Sequence, residues 1–264
     1  MHTHTTASDG LLTPTELVLK AYQRRLDGIA ITDHDSIEGI QEALIESIKI
    51  PGFSVIPGVE MGCSHEDEEV HILGYFLDYT NEKLKDTLST LRNSRWKRGI
   101  EILHKLENLG MELPIDEILE KSKKTDFIGR ATIARELHDR GFVKSIKEAF
   151  DKYLDVNKPA YTERFKLTIE ETIKLIHNSG GISVLAHPGL LINKQILTYC
   201  VDMGIMGIEC YHSKHSKNDE KILVSFSERN NLIITGGSDY HGDIDILGDH
   251  VTDIDNIPAF RERV

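Results

Sequence analysis

Two short motifs could each hold an ion between neighbouring side chains. They are His2-Thr3-His4 at the start of the chain and Asp239-Tyr240-His241 near its end. On an extended strand, residues two apart point the same way, so each pair can face one ligand. An HxH by itself is a weak sign, because paired surface histidines are common. The sign strengthens because Asp9, His34, Glu60, His71 and His187 also follow or end short apolar runs. Imidazole mixed with carboxylate suits Zn, Mn or Fe better than Ca or Mg. Residues so distant in sequence can share ions only if those runs are strands whose ends meet on one rim.

The runs have the length and composition for that. GIAIT, FSVIPGV, VHILGYFL, GISVLA, GIMGIECY and LIITGGS are rich in Ile and Val. With the opening segment they predict about seven buried strands. Helical patterns lie between them. Thr13-Pro14-Thr15-Glu16 reads as an N-cap with Pro in the first turn, and Ser36 could cap a helix through Ile45. Thr168 with Glu171, and Ser216 with Asp219, have capping-box spacing. Strands alternating with helices imply βα units and a parallel sheet. A closed or distorted barrel with its site at the C-terminal strand ends is favoured. The alternative is an open, doubly wound sheet with scattered histidines.

The rhythm breaks between residues 80 and 165, where NEKLKDTLSTLRNSRWKRGIEILHKLENLG predicts one long helix. Shorter helices follow near 115–122, 130–140 and 145–153, so this stretch reads as a helical insertion and a candidate substrate-binding cap.

Composition narrows the function. The net charge of −12 on 264 residues argues against a general polyanion surface, so stable duplex nucleic-acid binding is not expected. No apolar run reaches the roughly 20 residues of a membrane helix, and no signal peptide is visible. Cys63, Cys200 and Cys210 form no CxxC pair, which suits a reducing compartment and a cytoplasmic protein. Cys63 and Cys210 read as small buried residues rather than nucleophiles.

HTHTTASDGLLTPTELV, IAITDHDSIEGIQEA, IPGVE, EVHILGYF, GGISVLAHPG and LIITGGSDYHG together resemble the PHP (polymerase and histidinol phosphatase) family. Within it they look like the stand-alone nucleotide and oligonucleotide phosphoesterases. The resemblance covers essentially the whole chain. It implies a distorted (βα)7 TIM-like barrel, the PHP fold, over residues 1–79 and 159–264, with an inserted helical cap at 80–158. It also implies three divalent transition-metal ions, Mn, Fe or Zn. His2, His4, Glu60 and Asp239 would hold one; Glu60 would bridge to a second held with His71 and His187; Asp9, His34 and His241 would hold the third. Glu60, Asp239 and His241 become the catalytic set, and Asp33 a residue that orients a ligand. Arg130, His215 and Ser213 become substrate contacts.

The chain departs from its relatives in two places. Only Met1 precedes the HxH, where relatives carry apolar residues and an Asp, so a shortened first strand is expected. Thr132 stands where relatives usually carry His.

The expected reaction is in-line attack by a metal-bridging hydroxide on a phosphate ester of a nucleotide. The substrate would be a nucleoside 3′,5′-bisphosphate, a mononucleotide, or the 5′ end of a short oligonucleotide. Alternatives are a histidinol-phosphate-type phosphatase, an amidohydrolase cleaving a C–N bond, and a non-catalytic metal-stabilised module. A modified Lys bridging two metals would favour the amidohydrolase, but none of the strand-like runs ends in Lys. His65, His104, His138, His177 and His250 read as solvated or packing residues, and HEDEE at 65–69 as an exposed acidic turn. His212 is ambiguous. Arg95 and Arg98 are expected on a solvated helix face, with a phosphate contact as the alternative.

Overall fold

A computed structural model of the chain describes residues 1–66, 68–123, 128–242 and 246–263. Among these, strands β1 (Gly28–Ile31), β2 (Ser54–His65), β3 (Glu68–Tyr75), β4 (Leu167–Thr168), β5 (Ile182–Leu185), β6 (Gly207–His212) and β7 (Ile233–Gly237) form one seven-stranded sheet. Its order is β1-β2-β3-β5-β6-β7, with β4 paired to β2 off that path. The fold is mixed α/β around a curled sheet. The apolar runs become strands because both faces are covered; β5, for example, is buried at every residue.

The sheet is not wholly parallel, contrary to the expectation from alternating βα units. β1–β2, β5–β6 and β6–β7 are parallel, but β3 is antiparallel to both β2 and β5. The reason is the link at 66–67, too short for a crossover helix, which joins β2 to β3. Glu66 in that turn is exposed and takes φ +51°, while Asp67 lies outside the described residues.

The opening segment forms no full strand. It makes one parallel bridge, Thr3 to Tyr240. The His4 N–H donates to the Tyr240 carbonyl at 2.9 Å, and the Thr32 N–H to the Thr3 carbonyl at 3.1 Å. Residues 2–4 therefore run between the chain just after β1 and the chain just after β7.

The helices are α1 (Pro14–Gln23), α2 (Ile40–Ser47), α3 (Glu82–Asn108), α4 (Ile115–Lys123), α5 (Arg130–Asp139), α6 (Ile146–Ala149), α7 (Ile169–Asn178), α8 (Gln195–Asp202), α9 (Lys217–Arg229) and α10 (Pro258–Arg261). A π-turn, Phe150–Leu154, continues α6. Thr168 and Ser216 each form the capping box that their spacing predicts, and Thr13, expected as an N-cap before Pro14, forms one with Glu16 as well. Ser36 does not cap α2, which begins at Ile40 behind Gly39. Pairing with β2 holds the chain only as far as His34, where Glu60 N–H donates to the Asp33 carbonyl and Asp35 N–H to the Glu60 carbonyl, and Asp35 then turns with φ +49° before α2 can begin.

Two compact units result, Met1–Thr87 with Lys166–Val264, and Leu88–Phe165. The first packs Ile56, Leu73, Tyr75, Val184 and Phe260 together. The second has its own apolar core of Ile102, Leu106, Ile118, Ile133, Leu137 and Leu154. Arg95 and Arg98, expected on a solvated face, are buried at 5% and 4% exposure, and each has an interaction partner. Long aliphatic stems make such burial tolerable once the guanidinium is paired. No helix among the described residues is long and apolar enough to cross a membrane.

Candidate metal centre

The first unit brings all nine expected metal-ligand residues together. Glu60, midway along β2 and fully buried, is the hub. One of its oxygens, Oε2, lies 2.9 Å from His34 Nδ1 and 3.3 Å from Nε2 of both His2 and His4. The other, Oε1, lies 2.8 Å from His71 Nδ1 and 3.1 Å from His187 Nε2. Asp239 directs Oδ1 to His4 Nε2 at 3.2 Å and to His2 Nε2 at 3.5 Å. Asp9 Oδ1 lies 3.2 Å from His241 Nε2 and 3.9 Å from His34 Nε2.

Local structure explains several of these positions. His71 sits opposite Gly62 across the β2–β3 pairing, which turns it toward Glu60. His187 and Asp239 follow β5 and β7 with left-handed backbones, φ +31° and +50°. Non-glycine residues held there cost on the order of 1–3 kcal/mol, and such strain clusters at functional sites. Asp33 is not among the ligand groups. It accepts the Thr5 N–H and the Ser8 and Thr5 hydroxyls at 2.6–2.7 Å, fixing the turn that carries Asp9.

The site's charges depend on one another. Burial works against each carboxylate, yet the surrounding imidazoles hold Asp9, Glu60 and Asp239 well below the usual range. Burial also disfavours imidazolium, but Glu60 and Glu69 lift His71 to about 9, and Asp9 and Asp239 lift His241 to about 9. His34 goes the other way: burial outweighs its carboxylates and lowers it to about 4.

The hydrogen bonds fix which ring nitrogens are left for a metal. His2 Nδ1 lies 3.2 Å from both oxygens of Glu209, so it carries the proton and Nε2 faces the centre. His241 Nδ1 donates to the Asp239 carbonyl at 2.8 Å, leaving Nε2 toward Asp9. His2 Nε2, His4 Nε2 and Glu60 Oε2 are buried and make no hydrogen bond. Facing lone pairs need a cation between them, a proton or a metal. Two donors at ~2.1 Å from a tetrahedral metal stand about 3.4 Å apart, matching these spacings. The residues therefore fit divalent metal ions of the Zn, Mn or Fe class. Three sets of potential donors keep within 4.8 Å internally here: His4–Asp9–His34–His241, His2–His4–Glu60–Asp239, and His34–Glu60–His71.

Glu209 escaped the sequence reading. It is fully buried in β6, accepts His2 Nδ1–H and the His187 N–H, and is held down to about 2: burial opposes this, but His2 outweighs it. A single carboxylate inside the apolar run GIMGIECY was the available signal, because a buried charge persists only with partners. A fourth potential donor set, His2–Glu209–His212, shares His2 with the centre. His212 is buried, and its Nδ1 accepts the Lys214 N–H at 3.1 Å.

The expected substrate contacts are placed differently. Ser213 is exposed, its hydroxyl 3.4 Å from the Ser238 carbonyl. Both ring nitrogens of His215 meet backbone groups. Arg130 opens α5 in the helical unit, 5.9 Å from the Phe150 ring centre, with Thr132 on the same helix. The three thiols are buried, and burial pushes Cys63 far up and Cys210 up to about 11, so none is a ready nucleophile.

Known proteins share this chain's features. The pattern of the PHP domain family matches residues 1–187. A 5′-3′ exoribonuclease of Haemophilus influenzae is 34% identical over 247 residues, covering 91% of this chain and 89% of its own. A 3′,5′-nucleoside bisphosphate phosphatase of Chromobacterium violaceum is 33% identical, covering 91% and 86%. A solved Bifidobacterium adolescentis structure, assigned to the metal-dependent phosphoesterases, superposes with a TM-score of 0.89 at 30% identity, over 99% of this chain and 94% of its own. The chain belongs to the PHP domain family of metal-dependent phosphoesterases.

Proposed function

We propose that this enzyme hydrolyses phosphate esters of nucleotides, with a nucleoside 3′,5′-bisphosphate, a mononucleotide or the 5′ end of a short oligonucleotide as substrate. The observation that carries the reading is the hub at Glu60, whose two oxygens each face separate imidazoles. A carboxylate so placed can be shared between ions. His2, His4, Glu60 and Asp239 would hold one ion, Glu60 with His71 and His187 a second, and Asp9, His34 and His241 a third. Bound divalent ions supply Lewis acidity and hydroxide at neutral pH. The chain's own residues orient the donors. Glu209 keeps His2 Nε2 turned inward, Asp33 fixes the turn bearing Asp9, and the Asp239 carbonyl sets the ring of His241.

The finer architecture belongs to the same reading. Residues 2–4, between the ends of β1 and β7, would complete a distorted (βα)7 barrel. Residues 80–158 would be its inserted helical cap, with Arg130 a contact for a substrate phosphate. The three buried thiols suit a reducing cytoplasm.

The test is a phosphate-release screen of the Mn-loaded protein on adenosine 3′,5′-bisphosphate, AMP, short RNA and histidinol phosphate. Release from at least one nucleotide substrate, exceeding that from histidinol phosphate, is the expected outcome. A preference for histidinol phosphate would move the enzyme to that branch. Ammonia from amide substrates with no orthophosphate from any ester would overturn the phosphoesterase reading.

A further inference from the structure

The loop after β6 carries two basic side chains whose surroundings assign them opposite tasks. His215 is the one its position in the sequence favours for a phosphate. Its Nδ1 lies 3.0 Å from the Cys210 carbonyl, and its Nε2 lies 3.0 Å from the Gly189 N–H. A carbonyl only accepts and an amide N–H only donates, so Nδ1 holds the proton and Nε2 gives its lone pair. The ring is a fixed, neutral link between this loop and the one after β5. A Cβ on Gly189 would fall 2.5 Å from the ring, so that glycine is what lets the two loops close on it. Neither nitrogen is left to donate to an incoming anion.

Lys214 is placed otherwise. Its side chain is half exposed, and Nζ lies 3.2 Å from Oδ2 of Asp239. The other oxygen of that carboxylate, Oδ1, is the one facing His2, His4 and His241. The ammonium thus sits at the outer edge of the metal-ligand cluster, on the side open to solvent. Its backbone is held in place: the Lys214 N–H donates to His212 Nδ1, the His215 N–H donates to the His212 carbonyl at 3.0 Å, and Ser216 caps α9. In a chain of net charge −12, an anionic substrate needs local positive charge of this kind.

We propose that Lys214, rather than His215, is the residue of this loop that receives the phosphoryl group of the substrate. The compact ammonium would bind it as a point charge, while His215 rivets the loop. This assignment rests on the phosphoesterase reading.

Inorganic phosphate is the probe, titrated calorimetrically into Mn-loaded protein, with Mn content measured on the same samples. Lys214→Ala should weaken phosphate binding about tenfold or more, with Mn content kept, because a charge-assisted hydrogen bond is lost. Lys214→Arg should recover most of that affinity. His215→Asn should lower the melting temperature and weaken phosphate binding less than Lys214→Ala does. Parent-like phosphate binding by Lys214→Ala overturns the assignment. So does a matching loss of Mn, which would mean that the lysine acts through Asp239, and so does a larger binding loss in His215→Asn. If the Mn-loaded parent neither binds phosphate nor releases it from any nucleotide, the phosphoesterase reading itself fails, and the Lys214 assignment with it.

Discussion

The two units of this chain bury different things. In the helical unit the centre is apolar: Ile102, Leu103, Leu106, Ile128, Ile133 and Leu137 are fully enclosed. In the sheet unit His2, Asp33, Glu60 and Glu209 are enclosed as completely. Burying apolar surface stabilises by roughly 25 cal/mol per Å² whatever else is bound. A buried charge is tolerated only with a partner of opposite sign. The apolar core of the helical unit therefore needs no bound ion, its buried Arg95 and Arg98 each having an interaction partner, whereas the sheet unit's centre needs cations, protons at some pH values and metal ions at others. One chain thus combines an ion-independent core with an ion-dependent one.

Removing the hub should break this contrast most severely. Glu60→Gln is expected to lower metal content and cut phosphate release by more than about a hundredfold, since even outer-shell partners are worth 10–100-fold. Circular dichroism should show the fold retained. Near-parent release would mean that the shared carboxylate is misassigned.

A core substitution probes the other unit. Leu106→Ala should cost about 2–5 kcal/mol of stability, as for other enclosed leucines. Metal content per folded molecule should stay unchanged, as read by denaturant melts alongside elemental analysis. Loss of metal in step with stability would show that the two units are not independent in this respect.

Arg130→Ala asks whether the helical unit takes part in the chemistry. A lost Arg–phosphate contact should reduce kcat/KM for a nucleotide about tenfold or more, and reduce it less for a small aryl phosphate. Equal losses on both substrates would confine Arg130 to packing.

The smallest expected effect is on pH dependence. His71 and His241 are raised to about 9 in the metal-free protein, against an ordinary value of 6.5. A raised pKa contributes stability that is complete below 6.5 and lost as pH climbs through 9. The melting temperature of chelator-treated protein should accordingly fall across that window. Metal uptake at neutral pH should release protons, visible as a buffer-dependent heat in calorimetry. A melting temperature that rises from pH 6.5 to 9 would contradict the placement of these imidazoles beside carboxylates.

Much of the centre was legible because its chemistry is local. His187 and Asp239 directly follow an apolar run and His34 stands one residue beyond one, and strand ends are where side chains leave a packed sheet. The caps at Thr13, Thr168 and Ser216 were legible for a similar reason, since a capping box is complete within four residues. The family's motifs, spread along the chain, did the rest.

What the sequence could not determine depends on partners brought from far away. The direction of β3 follows from a tight turn meeting a long β2, and the late start of α2 follows from its pairing partner at Glu60. The burial of Arg95 and Arg98 depends on what packs over the helix that carries them. His2 and Glu209 stand 207 residues apart, yet their contact decides which nitrogen of His2 faces the centre. Gly189 and His215 are 26 residues apart, and their hydrogen bond helps to decide that this histidine cannot donate to an anion. Residue type and spacing name the donors, because strand geometry is periodic. The orientation and protonation of each ring are set by single long-range hydrogen bonds, and only the folded chain brings those partners together.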